Sequence, residues 1–256
     1  MPYRKLPNST PAVIRTLKAA RDTYKITPVA TDRAITTAQF AQLDDTVPTS
    51  LLNVLLKDSS DVDLAQAAQA PLVSQLTQVA ARLTMFCSHF HQVLDMGIAR
   101  GTFQAGARSY YDRDVNATAI PDLSSYDAVA EAAGFIVSGE AARHTAEGAT
   151  YVAMSLPSAA EVGTLLTQFN TLRNQSQQAQ VNTDQKQEAV SAIYPQAQAL
   201  AVDICDTVEF FYRKDADPAS FRTKCSRWGV VYVYEQQPAA PTPTPTPTPT
   251  PAPPQP

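Results

Sequence analysis

The sequence predicts an all-α fold: a four-helix-bundle-like body built from two tandem helical-hairpin units, with short capping helices, a minor two-stranded ribbon and a proline–threonine tail. Three observations predict it. Leu72, Leu76, Val79, Leu83, Phe86, Phe90, Val93 and Gly97 follow steps of 4 and 3 without a break, the heptad seam of a helix that faces partner helices. Adding 118 to each position gives a second frame, Val190, Tyr194, Ala197, Ala201, Ile204, Val208 and Phe211, apolar or small until Asp215. The same offset places Cys87 on Cys205, Phe103 on Phe221 and Tyr110 on Trp228. Tandem duplication is the preferred reading, with repeats at about 10–111 and 125–229 inside a helical domain of residues 1–236. Only 8 glycines in 256 residues also speak for helix over sheet or phosphate-binding loops.

Each element follows in order. Thr10-Pro11 is a helix start, an oxygen-bearing residue followed by proline at the first helical position. Behind it Ile14, Leu17, Ala20 and Tyr24 form the apolar face, interleaved with Arg15, Lys18, Arg21 and Lys25, which stay in water. Thr36–Gln39 and Ser158–Glu161 fit the capping box, in which the cap oxygen and a side chain three residues on satisfy orphan amides reciprocally. Their offset is 122, so about one helical turn is gained or lost between cap and seam. The polar stretches 57–63 and 181–184 are expected to turn the two hairpins, and Pro48 and Pro195 to end or kink their helices. A helix is expected from Tyr126 to Glu147, stopped by Gly148, and short closing helices at 102–110 and 217–227, the latter capped by Asp217 before Pro218. Residues 151–154 and 230–234 have strand character and are expected to pair with each other.

From residue 237 the chain is proline- and threonine-rich, reading PAAPTPTPTPTPTPAPPQP from Pro238. Such a run favours polyproline II and has no apolar surface to offset ordering, so a disordered, solvated spacer is expected; a ligand for a proline-recognising groove and O-glycosylation are the alternatives.

Net charge −4 carries no basic excess, so nucleic acid is not an expected partner. No run of about 18 apolar residues marks a transmembrane helix. The N-terminus lacks the apolar core of a secretory signal, and 3 cysteines make no disulfide framework. A cytoplasmic location is the default, with signal-less export or surface assembly as the other possibility.

FCSHFHQVLD, residues 86–95, is the stretch that most resembles chemistry. At about 100° per residue His89 and His91 lie some 160° apart, on opposite borders of the stripe, and cannot share an ion. His91 with Asp95, and Glu140 with His144, stand at i, i+4; joined in space they would offer a zinc- or iron-type ligand set, otherwise two local charge pairs. The Glu-x-x-His pattern of carboxylate di-iron bundles is missing from the seam. Cys87 and Cys205 read as structural thiols, while Arg222, Lys224 and Arg227 beside Cys225 are expected to favour its thiolate. Serine-nucleophile elbows and paired-cysteine motifs do not occur. Phe210, Tyr110, Tyr111, Tyr232 and Tyr234 are candidates for an interface, with packing of a capping helix on the bundle as the preferred alternative. The expected function is a non-enzymatic structural or protein-interaction module without a cofactor, docking to a protein partner or assembly. The alternative is a small-molecule or metal-binding bundle with its site at His91, Asp95, Glu140 and His144.

Overall fold

A computed structural model describes residues 2–117 and 119–234; the proline–threonine run lies outside the described residues. Of the described residues, 73% are helical. The described elements are β1 (Pro2–Lys5), α1 (Thr10–Ile26), α2 (Thr37–Ala41), α3 (Leu51–Ala99), α4 (Tyr126–Glu147), α5 (Ala159–Tyr212), α6 (Pro218–Arg227) and β2 (Val231–Tyr234). Short 3-10 turns lie between them, the longest at Ala105–Tyr111. The all-α expectation holds, and a single two-stranded ribbon accompanies the helices.

The helix starts follow the sequence signals. Thr36 and Gln39 close the expected box: Gln39 N donates to Thr36 Oγ1 at 3.1 Å and Thr36 N to Gln39 Oε1 at 2.9 Å. Ser158 and Glu161 repeat it, with Ser158 N donating to Glu161 Oε2 at 2.8 Å and Glu161 N to Ser158 Oγ at 3.2 Å. Asp217 accepts from Ala219 N and Ser220 N ahead of Pro218.

The hairpin turns do not form. Residues 57–63 and 181–184 lie inside α3 and α5, which run uninterrupted for 49 and 54 residues. Both stretches are polar but glycine-free, and i, i+4 pairs satisfy them in helical form: Lys57 to Asp61 at 2.9 Å and Gln180 to Asp184 at 2.8 Å. Pro48 ends no helix: α2 already stops at Ala41, so Leu43 and Val47 of the first expected long helix are not helical and Pro48 lies in the loop before α3. Pro195 does not end α5, and Pro71 sits within α3. The ribbon also has a different partner. Val231–Tyr234 pairs antiparallel with Pro2–Lys5, Arg4 opposite Tyr232, while residues 151–154 form no strand.

The chain divides into two compact units. In the unit of residues 1–55 and 193–256, Val13, Leu17 and Ala20 of α1, Leu52 and Leu55 of α3, Ile204, Cys205 and Val208 of α5, and Trp228 are buried. α6 is tied to α1 by Thr23 Oγ1, which donates to Arg227 O at 2.6 Å. Gly229, at φ +95°, has the Thr16 carbonyl oxygen only 2.7 Å from where a Cβ would be, so the turn after α6 admits no side chain.

In the unit of residues 56–192, the core is Leu76, Ala80, Leu83, Cys87, Phe90 and Leu94 of α3 with Val129, Ala133 and Ile136 of α4 and Val162, Leu165 and Phe169 of α5. The buried line on α3 keeps the 4-3 steps but is shifted by one residue at alternate positions; Val79, Phe86 and Val93 flank it. α3 and α5 also pair through polar contacts. Thr183 Oγ1 donates to Gln69 Oε1 at 3.1 Å, Gln69 bonds Gln180, and Lys186 reaches Asp61 at 3.4 Å. Over residues 56–75 and 174–192 only Ala65 and Thr183 are buried.

Candidate functional site

The shifted buried line explains the histidines. Its centre lies about 40° further round α3 than the heptad residues suggest, toward His91 and away from His89. His91 is 0% exposed, and neither Nδ1 nor Nε2 has a hydrogen-bond partner among the described residues. Burial pushes its pKa down to about 4, and the positive charge of Arg113 adds to this. His89 is exposed and lines a cleft of about 230 Å³ with Phe86, Leu156, Pro157 and Glu161.

The expected pair of His91 with Asp95 is not made. Asp95 is held by two arginines from the loop after α3, Arg108 Nε at 2.7 Å and both terminal nitrogens of Arg113 at 2.9 and 3.1 Å. Although burial opposes the charge, the two guanidiniums hold Asp95 below the usual carboxylate range. A bidentate arginine outcompetes a neutral imidazole for this carboxylate.

Nor does Glu140 pair with His144. Glu140 accepts from Tyr111 Oη, Tyr151 Oη at 2.5 Å, Met154 N at 3.0 Å and Arg143 at 3.0 Å. Burial works against its charge, and these four donors more than compensate, leaving its pKa lowered. Arg143, 0% exposed, also donates to Tyr111 Oη, Glu147 and Val152 O, and lies over the Phe103 and Tyr151 rings. Burial and the neighbouring carboxylate push the Tyr111 hydroxyl up, and the same causes bring Tyr151 to about 12. His144 is exposed, edge-on to Tyr151. Glu140 and Arg143 therefore pin the Ala105–Tyr111 turn and residues 151–154 to α4. The i, i+3 spacing of Glu140 and Arg143 was available in the sequence; Arg113, in an irregular loop, carried no such signal.

The four weak metal candidates do not converge, and among the described residues no group of three or more His, Cys, Asp and Glu side chains could hold a metal ion. Cys87 and Cys205 are buried, and burial raises their pKa values to about 12 and 11. Cys225 departs from expectation. Its thiol is 0% exposed and burial raises its pKa, because the residue faces the core while Arg222, Lys224 and Arg227 lie on other faces of α6.

The interface candidates separate. Tyr111 is buried, a correction to its reading as a surface ring, and Tyr110 is half-buried. Tyr232 is half-buried and donates to Glu209 at 2.5 Å, where Arg4 also binds at 3.0 Å. Phe210 and Tyr234 are 64% and 72% exposed, and the Arg213 guanidinium lies 3.6 Å from the Phe210 ring centroid. Tyr232 and Tyr234 line an open cleft of about 570 Å³ with Arg222, Thr223, Ser226 and Arg227.

Comparison with protein families, with characterised proteins and with solved structures found no match to this chain. Among the described residues no helix is long and apolar enough to cross a membrane.

Proposed function

We propose that the chain is a non-catalytic structural or protein-interaction module, a duplicated helical bundle that docks to a protein partner or assembly. The observation that carries this reading is the build of α3 and α5. At about 1.5 Å per residue these helices of 49 and 54 residues extend roughly 70–80 Å each. Where they pair through Gln69, Gln180 and Thr183, almost nothing is buried, so that stretch is held by polar contacts rather than by a core. The buried polar groups Glu140 and Arg143 are spent on holding segments to α4, as a scaffold requires. Duplication is supported by burial at the 118 offset: Leu83 and Ala201, Cys87 and Cys205, Phe90 and Val208, and Ala107 and Cys225 are buried in both copies.

Exposed Phe210 and its arginine neighbour are the docking residues of choice, since aromatic–arginine pairs dominate interface energetics. The test is affinity capture from native extract with the full chain and with Phe210→Ser. One stoichiometric partner, lost on substitution, is the expected result. A metal ion or small molecule that raises the Tm of chelator-free protein by several degrees at micromolar concentration, with no partner captured, overturns the reading.

A further inference from the structure

The cleft of about 230 Å³ beside His89 belongs to a face of the unit of residues 56–192 that the described residues leave uncovered. Arg82, Met85, Phe86 and His89 follow i, i+3, i+4 and i+7 spacing and so share one side of α3. Arg82, Met85 and His89 are exposed, and Phe86 is half-buried. The other wall, Leu156, Pro157 and Glu161, is the entry to α5. Leu156 is 74% exposed although Met154 and Pro157 are buried, and Met154 N is tied to Glu140 at 3.0 Å. Anchored neighbours thus hold this leucine out in water at the rim of the cleft. Two charges stand on the same face. Arg82 lies over the Phe86 ring at 5.4 Å and has no carboxylate within ion-pair distance among the described residues. Glu161 accepts from Ser158 N and Oγ at 2.8 and 2.9 Å and has no cation within ion-pair distance there. The Ser158 donors, and to a smaller degree the positive charge of Arg82, hold it below the usual carboxylate range.

We propose that this face is an interface with a second copy of the chain, a two-fold pair in which each Leu156 enters the other copy's cleft and each Arg82 meets the other copy's Glu161. A two-fold contact brings the same patch to both sides, so the patch must complement itself. This face meets that condition twice. It carries an apolar knob beside a cleft, and an unpaired cation beside an unpaired carboxylate, so one rotation satisfies knob, cleft and both charges together. A foreign partner would have to bring a matching leucine, acid and base, whereas a second copy brings all three on one surface. Association withdraws exposed Met85 and Leu156 from water. The patch is small, which sets a weak dissociation constant, on the order of 10–100 μM. The assignment is independent of the docking reading, because Phe210 belongs to the other unit and takes no part in it.

The experiment is sedimentation velocity of the full chain across about 1 to 500 μM, a range that brackets the expected constant. A monomer at the low end and a dimer at the high end are expected. Leu156→Asp, at a 74% exposed position where folding is not at stake, weakens the dimer by more than about tenfold. Arg82→Glu and Glu161→Arg each set like charges against one another across the axis, and each alone is monomeric. An equimolar mixture of the two variants dimerises again, because each then meets its opposite in the other; no contact within one chain gives that result. Glu161→Gln, which keeps the capping box with Ser158, weakens the dimer by a smaller factor than Glu161→Arg. A chain that stays monomeric to about 500 μM, or a dimer that Leu156→Asp leaves intact, overturns the assignment. A dimeric parent whose two charge variants remain monomeric when mixed overturns the two-fold arrangement.

Discussion

A methyl group on Gly139 would sit 2.2 Å from the Tyr110 carbonyl oxygen and 2.7 Å from the Tyr111 ring, whereas one on Gly134, a turn earlier in α4, would meet nothing within 4 Å. Gly139→Ala is therefore expected to cost about 2–4 kcal/mol, and Gly134→Ala to stabilise by about 0.5–1 kcal/mol through helix propensity; urea unfolding of the two variants checks the contrast. Glu140→Ala leaves Arg143 buried without its nearest carboxylate and should cost about 3 kcal/mol by the same measurement. His91 sets a pH dependence. Its folded pKa of about 4 lies below the ordinary 6.5, so between these values the unfolded chain binds the extra proton. Stability falls as pH drops from about 6.5 to 4, by up to about 3 kcal/mol, and His91→Leu flattens that limb of the profile. Residue spacing made Phe90, Cys87 and the caps readable in the sequence. The fates of Asp95 and Glu140 were not readable, because their partners come from loops whose path only the packed structure sets.

At the scale of elements, α3 and α5 persist because glycine is almost absent from them. There is no glycine from Leu51 to Met96 and one, Gly163, in α5, so polar composition alone does not make a turn. Each helix instead contains one proline at an exposed position, Pro71 and Pro195. An interior proline removes a hydrogen bond and crowds the preceding turn, so Pro71→Ala and Pro195→Ala should each raise stability by about 1–3 kcal/mol, seen as a higher Tm. The ribbon repeats the lesson in reverse. Strand propensity at 231–234 was legible, but its partner was chosen by Arg4, which reaches Asp206 and Glu209 on α5 and so seats β1. Residues 151–154 are instead claimed by Arg143 and Glu140.

At the scale of the whole molecule, burial is uneven along the two long helices. Because Ala65 and Thr183 alone are buried in residues 56–75 and 174–192, amide exchange is expected to be faster there than at Leu83–Leu94, as mass-spectrometric exchange of the native protein would register. Uniform protection along α3 would contradict that expectation. The sequence by itself determined the helical class, the helix starts other than that of α3, the end of α4 at Gly148 and the buried character of Cys87 and Cys205, because caps and apolar periodicity act within a few residues. Only the tertiary structure decided that two hairpins are two continuous helices, which strand pairs with which, and that His91 lies inside the core while its intended carboxylate binds arginine. Those outcomes depend on competition among partners distant in the chain: spacing names the candidates for a contact, and packing selects among them.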